Sequence, residues 1–141
     1  MRKEFSNYSS MNRERFTETV VNFAQISDKT KILFPDVQQL TLASIIRGIL
    51  FVFAGWSGSS VHAWKALTRA LNAEQDLDLK VYVVDADELP PRFADHELKV
   101  LPHGNGETFW IREGNILHSL SKYGHERDEE IRAFTKEVFA N

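Results

Sequence analysis

The chain has 141 residues, 43% hydrophobic and 26% charged, with seven Gly, four Pro and no Cys, the balance of one globular domain that folds without disulfides or a structural metal. Zero cysteine excludes a disulfide scaffold, a thiolate metal site and a cysteine nucleophile. A net charge of -3, from 17 basic and 20 acidic residues, supplies no field for gripping a phosphate backbone, so no nucleic-acid partner is expected.

No apolar run of signal length follows Arg2 and Lys3. The most apolar segment, Ile45 to Ala54, is broken by Arg47 and Gly48 and falls well short of the roughly 20 residues that a membrane span needs. A cytoplasmic setting with no membrane partner is therefore expected.

Phe16, Val20 and Phe23 recur at helical spacing after a polar first dozen residues, which predicts an amphipathic helix over 12–26 behind a frayed tail. Lys31 to Phe34 reads as a short strand stopped by Pro35. Leu42, Ile45, Ile46 and Ile49 follow a helical period, which predicts a helix ending near Gly48. Ile49 to Ala54 is a continuous apolar run of β-formers, the pattern of a central strand covered on both faces.

Trp56-Ser-Gly-Ser-Ser60 leads into the stripe Val61, Trp64, Leu67 and Leu71 of a second helix, for which Ser57, Ser59 or Ser60 can supply the N-cap. Leu79 to Val84 predicts another strand, ending in Asp85 and Asp87, and Pro90-Pro91 starts a short helix through about Glu97. Val100-Leu101-Pro102 and the turn through His103 and Gly106 precede two β runs, Thr108 to Arg112 and Ile116 to Leu120, joined by the hairpin chemistry of Glu113-Gly114-Asn115. Ile131, Phe134, Val138 and Phe139 mark a closing helix with acids at its positive end. This order predicts an α/β fold, a mixed central sheet with helices on both faces.

These landmarks, taken in order, resemble the thioredoxin superfamily from about Thr30 to Phe139. A buried strand ends in Ala54-Gly55-Trp56, the active-site loop follows, a strand ending in aspartate comes next, and Val100-Leu101-Pro102 falls where that family places its cis-proline. The resemblance implies a thioredoxin-like fold over 30–141, preceded by an extra tail and helix over 1–29. The departures bear on chemistry. Where the family has Trp-Cys-Gly-Pro-Cys, this chain has Trp56-Ser57-Gly58-Ser59-Ser60, and Phe51 stands where thioredoxins have a buried acid. Thiol-disulfide exchange needs an attacking thiolate and a resolving sulfur, and serine hydroxyls provide neither.

Three functional expectations follow from that resemblance. The principal one is a redox-inactive, protein-binding or chaperone-like module. Its groove would be formed by Trp56, Leu101, Pro102 and His103, with Ser57, Gly58, Ser59 and Ser60 at the helix end. The plainer alternative is that Trp56 packs on the first helix and the serines only cap. A second expectation is a thiol-disulfide oxidoreductase whose two cysteines have been replaced by serine at 57 and 60. The third is a small-anion or thiol-ligand binder at the helix N-terminus.

A Ser57–His103 hydrolase lacks an orienting third residue and an oxyanion hole, so no catalytic residue is assigned. The spacing of His62, His96, His103, His118 and His125 fits no metal site, and Asp85-Ala-Asp87-Glu88 is followed by Leu89 and Pro90 where a calcium loop needs a ligand and glycine. No metal or cofactor is expected. The Phe16, Val20 and Phe23 stripe should dock on its own domain, and otherwise serves a homodimer or a partner.

Overall fold

The computed structural model describes residues 2–26 and 30–141, with side chains from residue 13 onward. Helix α1 (Arg2–Phe23) is followed by β1 (Lys31–Leu33), β2 (Arg47–Phe53) and α2 (Gly58–Leu71). Next come β3 (Lys80–Asp85) and α3 (Pro91–Phe93), the latter prolonged as a wider π-helical turn over Ala94–Leu98. The hairpin of β4 (Thr108–Arg112) and β5 (Asn115–Leu120) precedes the closing helix α4 (Asp128–Phe139).

The five strands form one mixed sheet in the order β1-β3-β2-β4-β5. β3 pairs parallel with β1 and β2, while β4 runs antiparallel to β2 and β5. β2 is central, as its unbroken apolar run predicts, and it alternates between two cores. Ile49, Phe51 and Phe53 face α1, α2 and α4, among Val20, Trp64, Leu67, Ile131 and Val138. Leu50 and Val52 face the other side, where α3 and the segment before β2 bring Phe93, Leu98, Leu42 and Ile45.

The expected helix between the first two strands is absent. In its place a single 3-10 turn, Leu42–Ser44, leads into an earlier start of β2 at Arg47. The periodicity misled because Leu42 and Ile45 reach one core from the turn and its exit while Ile46 faces solvent, which a helical stripe would not allow. Two β-branched isoleucines favour extended backbone, and Gly48 leaves room in the strand for the Tyr82 ring, whose Cε1 would lie 2.6 Å from a Cβ there.

α1 differs in the other direction, since it starts at Arg2 and stops at Phe23. No Gly or Pro interrupts that stretch, so a helix fixed by packing of its second half propagates backward at low cost. Its stripe docks on its own domain: Val20 is buried, its carbonyl accepts from the Trp64 indole Nε1 at 2.8 Å, and Phe16 meets Phe53 and Phe34 edge-on. Phe16, Val20 and Phe23 thus pack together against the core. The boundary expected at residue 29 lies outside the described residues.

The hairpin turn is made by Glu113 and Gly114, at φ 52° and 77°, which matches the right-handed twist of the flanking strands. At the far end of the same hairpin Thr108 shares a 2.7 Å hydrogen bond with the buried Tyr123 hydroxyl, and burial pushes that phenol well above its usual range. Among the described residues no helix is long and apolar enough to cross a membrane.

Candidate functional site

Beyond Phe53 the chain turns through Ala54, Gly55 and Trp56 into α2, closed by the Ser57 amide donating to the Ala54 carbonyl at 3.0 Å. Ser57 is the N-cap, with extended backbone and a hydroxyl oxygen that accepts from the Ser60 amide at 3.4 Å. The same hydroxyl donates to the Gly104 carbonyl at 2.5 Å. Ser60 is fully buried, and its hydroxyl oxygen accepts from the Ala54 amide at 2.9 Å. Two serines are therefore structural ties within the loop, while Ser59 and Gly58 are exposed beside them. The Ser60 amide is thereby capped by a side chain of its own loop.

The second loop, residues 99–107, crosses over the first. Lys99, Gly104 and Gly106 adopt positive φ (59°, 75° and 67°), and between them they reverse the chain. A Cβ on Gly104 would lie 2.6 Å from Cη2 of Trp56, and one on Gly106 would lie 2.5 Å from the Ala63 Cβ. Both glycines are required by close approach as well as by their backbone angles. The loop is pinned from inside by Glu107, whose carboxylate accepts from the amides of His103 at 2.9 Å and Asn105 at 3.3 Å. From outside, the Lys122 amide donates to the Asn105 carbonyl at 2.7 Å.

This arrangement corrects two expectations. No peptide bond among the described residues is cis, so the bond before Pro102 is trans where the resemblance implied cis, and the chain reverses through the three left-handed residues. The segment that meets the serine loop is Gly104 to Gly106, with Pro102 half-buried and His103 exposed further out. Ser57 consequently spends its hydroxyl on a backbone carbonyl and not on His103.

Trp56 and Leu101 do stand where a partner could reach them, at 64% and 62% exposure, with Val100 also exposed. Trp56 is not loose. Its indole Nε1 donates to Asp87 Oδ1 at 3.0 Å, from the turn after β3. Asp85, two residues earlier at the end of β3, accepts the Asp87 amide at 2.9 Å. Burial holds the Asp85 carboxyl above its usual range; the Asp87 amide pulls it down, and the charges of Asp87 and Glu88 push it up again. Phe51 lies fully buried with its ring 5.0 Å from that of Trp64.

Sequence reasoning named Trp56, Ser57, Ser60 and Leu101 and missed Glu107, Asp87 and the two glycines that let the loops touch. Gly104-Asn105-Gly106 does carry a turn signal, but nothing in the order of residues announces that Glu107 folds back to bind its own loop.

No protein-family model matches the chain, and no curated protein does. Solved structures do. Desulfothioredoxin from Desulfovibrio vulgaris Hildenborough, in its reduced form, superposes with a TM-score of 0.53 at 13% identity, covering 72% of this chain and 95% of that one. The fold is that of thioredoxin. A mutant thioredoxin from Halobacterium salinarum NRC-1 gives a TM-score of 0.54 at 11% identity over 82% of this chain and 96% of its own. Thioredoxin from Trypanosoma brucei brucei gives 0.51 at 17% identity over 79% and 94%. At these identities what is shared is the thioredoxin-like architecture, a mixed five-stranded sheet with α2 launched from the central strand.

Proposed function

We propose that this thioredoxin-like protein works without thiol chemistry, as a protein-binding or chaperone-like module in the cytoplasm, using the surface made by the 54–60 and 99–107 loops. One observation carries the proposal: Trp56 is largely exposed yet tied by Asp87 at its indole nitrogen, with Gly104 close against the outer edge of its ring. A fixed aromatic facing solvent loses little conformational entropy on contact, which is why such residues dominate binding energy at interfaces. Leu101 and Val100 add apolar area from the second loop. The chain has no cysteine, so what this surface offers a polypeptide is contact and not exchange of a disulfide.

The test is affinity capture from the source cell's lysate, read by mass spectrometry, comparing the unaltered protein with a Trp56→Ala, Leu101→Asp double variant. A polypeptide lost in the variant supports the proposal. The same set retained by both proteins overturns it.

A further inference from the structure

Two carboxylates are buried among the described residues, and they are treated differently. Glu74, 4% exposed, is met by Arg132 at 3.0 Å and Lys136 at 3.7 Å from α4, so its charge is neutralised inside the fold. Glu107, 7% exposed, has no cationic partner among the described residues. Each of its oxygens takes one backbone N–H and keeps a further lone pair unused. Two amides hold the Glu107 carboxylate but no counter-charge among the described residues meets it, so its remaining acceptor positions are open to a cationic donor.

Glu107 also lines an open cleft of about 260 Å³ between the 99–107 loop and the end of β5. Phe109, Val100, Leu101 and Leu120 contribute its apolar part, and Ser119 and Ser121 hydroxyl groups. β5 is the last strand of the sheet, so its outer edge has no strand partner. The cleft lies over the end of the β4–β5 pair, where Phe109 and Ser119 are register partners.

We propose that the Glu107 cleft takes an arginine side chain of an extended polypeptide segment that pairs with the free edge of β5. A guanidinium presents a planar fork of N–H donors that fits the two remaining acceptor sites of a carboxylate, and its methylene stem suits the walls of Leu101 and Phe109. Edge pairing supplies backbone hydrogen bonds, and the cleft supplies selection of the side chain. The assignment rests on the reading that the two loops receive polypeptide, and names the chemistry of what they receive.

The probes are two capped seven-residue peptides of alternating valine and threonine, one with a central arginine and one with citrulline, its uncharged analogue, titrated into the isotope-labelled full chain and followed by amide chemical shifts. The expected result is perturbation at Leu101, Ser119 and Ser121, with the arginine peptide binding about tenfold tighter or more, as one buried charge-assisted pair implies. Glu107→Gln should lower the arginine peptide to the citrulline level. Because that change also weakens the loop anchor, Ser121→Arg provides a second arm: a guanidinium attached to the chain itself should occupy the cleft and abolish the preference with Glu107 intact. Equal affinity of the two peptides, or no binding of either, overturns the assignment. Shifts confined to Trp56 and residues 57–60 would overturn it while leaving the proposed function standing. An arginine preference unchanged by Trp56→Ala would support the cleft and count against the role given to Trp56.

Discussion

Ser57 donates its hydroxyl hydrogen to the carbonyl of Gly104 at 2.5 Å while its oxygen caps the Ser60 amide, so one side chain both starts α2 and fastens the neighbouring loop to it. Removing it costs a cap and a tertiary hydrogen bond together. Ser57→Ala should lower stability by about 1–2 kcal/mol, seen as a lower urea midpoint at unchanged slope. Ser59→Ala, at an exposed position, should change the midpoint little.

The two loop glycines should respond unequally to alanine. At Gly106 the added methyl meets Ala63 at 2.5 Å, a contact deep in the fold that cannot swing away, and the residue sits at φ 67°. Strain and overpacking together should cost roughly 3 kcal/mol. At Gly104 the obstacle is the outer edge of the Trp56 ring, at 2.6 Å, which can move. Gly104→Ala should cost only about 1–2 kcal/mol, the left-handed backbone penalty, while displacing the ring and shifting its fluorescence.

Asp87 fixes the direction of Trp56 through the indole nitrogen. Of the three tryptophans, Trp64 and Trp110 are fully buried, so collisional quenching of fluorescence by iodide reads Trp56. Asp87→Ala should make that ring more quenchable and weaken polypeptide capture, at a stability cost of about 1 kcal/mol or less. An unchanged quenching constant would show that Gly104 and its neighbours hold the ring unaided.

Asp85 gives the pH dependence a definite sign. Burial raises its folded pKa above the ordinary 3.8, so the folded chain binds this proton more readily than the unfolded one. Its contribution to stability therefore improves as pH falls through the raised value and becomes a constant penalty above it. Asp85→Asn keeps an acceptor for the Asp87 amide and loses the charge. It should be more stable than the unaltered protein at neutral pH, with an advantage that shrinks on acidification and disappears below about pH 3.8. Urea midpoints across that range would check it, and parallel curves would refute it.

The architecture was legible because β2, α2, β3 and the hairpin each bury a face large enough to leave a periodic mark: Leu50 and Val52 against Phe51 and Phe53, or Trp64, Leu67 and Leu71 along one helix face. The segment before β2 was not, since Leu42 and Ile45 meet the helical spacing from a turn and its exit, a coincidence that only the exposure of Ile46 exposes. At the site, Trp56 and the capping role of Ser57 could be read locally. The contact partner of Ser57 could not, because Val100-Leu101-Pro102 offered a plausible match in order while Gly104 and Gly106 make the actual approach through positive φ, which the sequence of a polar turn does not disclose. Glu107 was invisible for a related reason: its role is set by two amides brought within reach only after the loop has closed.

The most direct test of polypeptide binding by the two loops is site-specific photo-crosslinking in the source cell, with a benzophenone amino acid placed at Leu101 in one experiment and at Ile46 in another. These positions are similarly exposed, at 62% and 69%, but Ile46 precedes the start of β2 while the Trp56 loop follows its end. Adducts to extended or unfolded polypeptides from position 101, absent from position 46 and lost when Trp56→Ala is added, are the predicted result. Adducts formed equally from both positions, or from 46 alone, would contradict the account.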